Sequence, residues 1–230
     1  SQVAAILGNV LIVFPAVRGI TLLLAKLAGN SVITEKEALH VIDSLKPWGP
    51  SLLFAAFTGV LLFTSSIFAG WVENWFVLHR LDAAIHYNPR ITKAIGAKRA
   101  ARCARFLRDN LSGLAANISL GFMLGLTPVI AAFFGLGLDV RHVTLSSGQM
   151  AAAASALGPE VIHMSAFWWS IGTLPFIGAL NVLVSFYLAF RLALRAQNVT
   201  GVERSRLYVA LRHRLFHSPL SFFAPSRKNV

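Results

Sequence analysis

Acidic residues are scarce: nine Asp and Glu stand against twenty-one Lys and Arg in 230 residues, and the four charged types together make up only 13% of the chain. A soluble domain carries about 25%, so this chain lacks the polar surface that a water-exposed globule of its length needs. The single cysteine, Cys103, excludes an intrachain disulfide and a cysteine-based metal site, and it carries no information about redox compartment. What is abundant is hydrophobic: 56% of the residues, with a mean hydropathy of +0.64. That balance excludes intrinsic disorder and collagen-like fibres and places the chain among all-α integral membrane proteins.

Long uncharged runs locate the spans. Residues 51–70 are twenty consecutive residues without charge, and at about 1.5 Å per residue they match a hydrocarbon core of roughly 30 Å. Residues 111–138 form a second run, interrupted by Pro128, and residues 161–190 a third, with His163 near one end and Pro175 near the middle. Segment 3–28 is less regular, because Arg18 divides it; it either spans with Arg18 inside the bundle or tilts so that the guanidinium reaches the interface. Trp48, Trp71 and Trp75 flank the 51–70 run at headgroup positions. The reading is a polytopic helical protein with about four transmembrane helices.

The basic residues set an orientation. Residues 71–110 and 191–230 contain sixteen of the twenty-one Lys and Arg. The positive-inside rule therefore places both blocks in the cytoplasm, with 29–47 and 139–160 outside. The expected organisation is a membrane domain over 1–190, with a cytoplasmic basic loop at 71–110, followed by a basic cytoplasmic tail at 191–230. Within the loop, Ile91, Ile95, Phe106 and Leu107 supply an apolar side. Lys98, Arg99, Arg102, Arg105 and Arg108 supply cations for anionic lipid headgroups, which describes a basic amphipathic helix on the leaflet surface. The outer stretch 139–160 contains an apolar run too short to cross and reads as a re-entrant or interfacial helix. The start at Ser1-Gln2, with neither Met nor a positive n-region, carries the expectation that an N-terminal part precedes it.

Few residues suggest chemistry. Gly113, Asn117, Gly121 and Gly125 recur every four residues, which lets helix backbones approach closely; packing within the chain is the first reading and self-association the second. Arg18 and Asn181 are the polar residues expected deepest in the membrane. Asp139, His142, Glu160 and His163 are the nearest approach to a metal-ligand set, but no signature such as HExxH is present, and ion pairing with Arg141 or helix capping is the expected role. Neither a metal nor another cofactor is expected.

WVENWFVLHRL at 71–81, RFLRDNLSGLAANISLGFMLGLTP at 105–128 and FFGLGLDVRHVTLSSGQMAAA at 133–153 resemble a bacterial inner-membrane family known as site-specific recombinases, sometimes called Gcr-like. The resemblance covers more than half of the chain and implies a larger protein with a helical region ahead of the membrane part. It carries no catalytic residue onto these positions. A tyrosine recombinase needs a nucleophilic tyrosine with arginines and an H-x-x-R pair to hold the scissile phosphate. No histidine here is followed three residues later by arginine, and Tyr187, one of only three tyrosines, falls inside a span. Ser205 between Arg204 and Arg206 is the nearest approach to a serine-recombinase arrangement.

The leading expectation is a membrane anchor or interaction domain without enzymatic activity of its own. Its partners are the lipid bilayer, anionic headgroups, and a second copy or another membrane protein. A transport or lipid-handling module is the alternative, supported by Arg18, Asn117, Asn181 and the two prolines. Nucleic-acid binding through the basic blocks is a third, lacking any element for base readout.

Overall fold

The computed structural model describes residues 8–197 and 201–217. Among them every regular element is helical. A π-helical turn, Asn9–Val13, precedes α1 (Phe14–Ala28), widening the ladder just ahead of Pro15, which has no N–H to donate. Next come α2 (Glu35–Ser44), α3 (Ser51–Leu78), α4 (Leu81–Tyr87), α5 (Pro89–Ile95), α6 (Ala97–Phe133) and α7 (Val143–Leu157). A 3₁₀ turn, Pro159–His163, leads into α8 (Ser165–Ala196), and α9 covers Gly201–His217. Four helical stretches are long and apolar enough to cross a membrane: Leu11–Ala28, Ser51–Leu78, Ala97–Phe133 and Ser165–Ala196. The protein is an all-α polytopic membrane protein; residues 3–7 of the first expected span lie outside the described residues.

The expected span limits shift in consistent directions. α3 continues through Trp71 and Trp75 to Leu78, and α8 continues beyond residue 190 to Ala196. α6 stops at Phe133 instead of reaching 138, but it begins at Ala97. This corrects the expectation of a separate amphipathic helix over 88–109. Residues 89–95 form their own short helix, ended by Gly96 at φ 83°, and the basic residues from Lys98 onward belong to the same continuous helix as the span. A helix of 37 residues is about 55 Å long, so its basic end extends beyond a hydrocarbon core.

The chain divides into two compact units, one from residues up to Gly59 and from Val140 onward, the other from Val60–Asp139. In the first, α7 packs against α1, α2 and α8. Its sequence, VTLSSGQMAAAASAL, holds ten small residues of fifteen, and Val143, Ser146, Ser147, Met150, Ala151, Ala153 and Ala154 are buried. Small side chains on every side let three neighbours approach one helix closely. The core adds Ala38, Ile42 and Leu45 from the inner face of α2 with Phe167, Leu174 and Ile177 from α8. α2 begins at a reciprocal cap: the Thr34 hydroxyl accepts from Glu37 N–H (3.3 Å), and Thr34 N–H donates to Glu37 Oε2 (2.8 Å).

In the second unit, α4 lies along the first turns of α6, with α5 closing the connection. Arg80, at φ 50°, is the one non-glycine residue at positive φ among the described residues, and it makes the turn from α3 into α4.

Candidate functional site

The most constrained polar arrangement in the first unit centres on Asn181, in the middle of α8 and 2% exposed. Its Nδ2 donates to the carbonyls of Ala55 on α3 and Arg141, both at 2.9 Å, and its Oδ1 accepts from the backbone N–H of Val143 at 3.1 Å. The backbone N–H of Arg141 donates to Thr58 Oγ1 (2.9 Å), and that hydroxyl donates to the Phe54 carbonyl (2.8 Å). The backbone where the chain enters α7, at 141–143, is thus bonded by two side chains from two long apolar helices. α7 therefore begins beside the middle of α8 and ends near its start. Ser170 Oγ donates to the Ile42 carbonyl (2.6 Å), and Thr21 Oγ1 to Ser155 Oγ (2.8 Å), so the surrounding helices are tied to the same framework. At Gly59, an added Cβ would stand 2.7 Å from Val184 Cβ, which shows how closely α3 approaches α8 beside the amide.

A different kind of site occupies the second unit. A cleft of about 400 Å³ between α4 and α6 is lined by Asp82, His86, Tyr87, Arg105 and Arg108 with small alanines between them. Asp82 forms an ion pair with Arg108, and the His86 and Tyr87 rings stack with centroids 4.3 Å apart. Ala101, Ala104, Arg105 and Arg108 reach the cleft because residues three and four apart share a helix face. On the same face, nearer the far end of α6, an apolar groove of about 500 Å³ runs past Phe68 of α3, Ile118, Phe122, Met123, Leu126 and Ile130. Its two hydroxyls are occupied by their own helix: Ser119 Oγ donates to the Ala116 carbonyl and Thr127 Oγ1 to that of Met123.

The sequence candidates distribute unevenly over these sites. Asn181 is buried, as described. Arg18 is exposed at the protein surface, so of its two expected places the one inside the bundle is corrected: the π-helical turn and α1 present Val13, Val17 and Thr21 to α7, and Arg18 lies about a third of a turn from Val17. Gly113, Asn117, Gly121 and Gly125 are all exposed, and a Cβ added at any of the three glycines would meet nothing within 4 Å. Within its own unit the stripe packs against no other helix; it lines a shallow open groove with Ile118, Phe122 and Leu126. Lys98, Arg99, Arg102, Arg105 and Arg108 are exposed along the first turns of α6.

His142 stands at the N-terminus of α7, whereas Glu160 and His163 lie exposed beyond its C-terminus. The fifteen residues of α7 separate them by about 22 Å, so these three do not share one metal site with the preceding Asp139. Among the described residues no group of three or more such side chains is placed to hold a metal. Ser205 lies exposed on α9, while the side chains of Arg204 and Arg214 lie outside what is described.

Sequence reasoning missed the α4–α6 cleft. Its two walls come from residues some twenty positions apart, and only the turn at Arg80 and the early start of α6 bring them together.

Comparison with curated proteins and with solved structures finds no match. The family model for site-specific recombinase matches residues 1–225, nearly the full length of the chain. The chain that carries this interlocked helical framework and basic cleft belongs to the site-specific recombinase family.

Proposed function

We propose that this chain is a membrane-embedded scaffold: it anchors a larger inner-membrane protein of its family, with both basic blocks and the C-terminus in the cytoplasm, and presents an exposed helix face to a second copy or to another membrane protein. The observation that carries the reading is the Asn181 interlock. Three of the four hydrogen-bonding positions of the buried Asn181 amide are spent on backbone of the same chain, which is how a structural tie is built; a translocation path needs polar groups left facing a passage. The open Gly113–Gly125 stripe supports the interaction role, because backbone approach is the use small residues serve in membranes.

In this reading the chain performs no strand exchange. Arg108 is committed to Asp82, and the three tyrosines lie on three different helices, α4, α8 and α9. Covalent capture of a nicked duplex by the purified chain, lost on Tyr87→Phe, would overturn that part.

Asn181→Leu tests the scaffold. It removes three hydrogen bonds to buried backbone, each worth about 0.5–1.5 kcal/mol. The expected outcome is a lower melting temperature in detergent, faster proteolysis of the 139–163 segment, and loss of any oligomer. If the variant instead melts like the parent and loses solute flux in proteoliposomes that the parent supports, the transport reading replaces the scaffold.

A further inference from the structure

We infer that the α4–α6 cleft and the apolar groove below it together hold one anionic phospholipid. Its phosphate lies against Arg105 and its acyl chains run along Phe68, Ile118 and Phe122. The inference rests on the placement of the chain in a bilayer and is independent of the scaffold role.

Position comes first. Asp109 is the last charged residue before the long uncharged stretch of α6, and Trp71 and Trp75 close the apolar part of α3 just before the turn at Arg80. Both sides of the cleft therefore leave the hydrocarbon at one level, the headgroup level of one leaflet.

Charge comes second. Asp82 is the only acid on the cleft and is taken by Arg108, which holds that guanidinium in place. Arg105 has no acidic partner among the described residues. A planar guanidinium free to donate two parallel N–H groups is suited to a phosphate.

The third argument is register. Arg105 and Ser119, which lines the groove, are fourteen residues apart on one face of an unbroken helix, a rise of about 21 Å. Half of a bilayer about 40–45 Å thick spans the same distance, so chains hanging from a phosphate at the cleft reach the groove. The groove offers them hydrocarbon alone, because its hydroxyls are bonded within α6. Neither feature alone names a ligand. A cationic cleft one leaflet above an apolar groove on the same face describes a molecule with an anionic head and long apolar tails.

The test is native mass spectrometry of the full chain in mild detergent, after incubation with phosphatidylglycerol, with phosphatidylcholine, or with soluble glycerol phosphate. The expected result is one retained phosphatidylglycerol. Arg105→Gln is expected to lower its occupancy about fivefold, whereas Arg99→Gln, the same charge change on the far side of α6, leaves it unchanged. Phe122→Ala, at an exposed position, is expected to weaken retention without touching the charge, and an unchanged melting temperature in each variant shows that the fold is intact. Equal retention of phosphatidylcholine, or equal losses from Arg99→Gln and Arg105→Gln, would overturn the site in favour of diffuse attraction. Full displacement by glycerol phosphate would overturn the lipid and leave a free-phosphate site.

Discussion

Two residues on facing helices, Asn181 and Gly59, carry opposite demands. The amide has to be present, because it supplies two donors and an acceptor to backbone that no water reaches, whereas at Gly59 any side chain is in the way. A methyl group there meets Val184 Cβ at 2.7 Å and the Asn181 carbonyl at 3.1 Å, and neither neighbour is the free end of a flexible chain. Gly59→Ala is expected to destabilise the protein by about 1–3 kcal/mol through forced separation of α3 and α8, read as a lower melting temperature in detergent. Gly121→Ala serves as the matched control: its Cβ meets nothing, so the isolated chain is expected to melt within about 0.5 kcal/mol of the parent. The glycines in 113–125 looked like the packing glycines because their spacing is regular. Gly59 sits in no such pattern, and only the approach of α8 reveals it.

At the scale of elements, α2 shows how much a short segment owes to its ends. Its ten residues are too few for a stable isolated helix. The Thr34–Glu37 cap and the burial of Ala38, Ile42 and Leu45 hold it. Thr34→Ala is expected to cost about 1 kcal/mol, measured as a shift in thermal unfolding. The cap also makes α2 sensitive to acid. Hydrogen bonds from the Thr34 backbone and hydroxyl hold the Glu37 carboxyl below its ordinary value of 4.5. Its contribution is therefore present above pH 4.5 and is lost as the pH falls through the lower, folded value. The protection factors of the amides at 35–38, taken against intrinsic exchange at each pH, are expected to fall from pH 6 to pH 3 in the parent and to stay flat in Glu37→Gln, whose neutral amide keeps the cap without titrating. The long helices were legible in the sequence because a run of twenty uncharged residues has few other uses. The continuity of α6 was not: the change from basic to apolar near Asn110 reads as a boundary between two elements, yet nothing in the backbone breaks there, since no proline or glycine interrupts 97–112.

For the whole molecule, the single cysteine is a built-in probe of orientation. Cys103 is exposed on the basic part of α6. With the basic blocks in the cytoplasm, a membrane-impermeant maleimide is expected to label it in inverted vesicles and to leave it unlabelled in intact spheroplasts; the reverse pattern would turn the proposed topology over. Membrane class and helix count followed from composition and run length, because the bilayer imposes a length on whatever crosses it. The cleft and the Asn181 framework did not follow, because each joins residues distant in the chain, such as 82 with 108 or 58 with 141 and 181. Their meeting depends on packing that no local pattern encodes.

The way α7 is held has a consequence for how the protein is made. The backbone at its start is bonded by Thr58, which is synthesised before it, and by Asn181, which is synthesised after it. Until α8 has been made, the Asn181 amide is not there to bond the Arg141 carbonyl and the Val143 N–H. A chain halted before α8 emerges is therefore expected to leave its 139–163 segment open to protease; protection of that segment in such a chain would show that α8 is not needed to seat it.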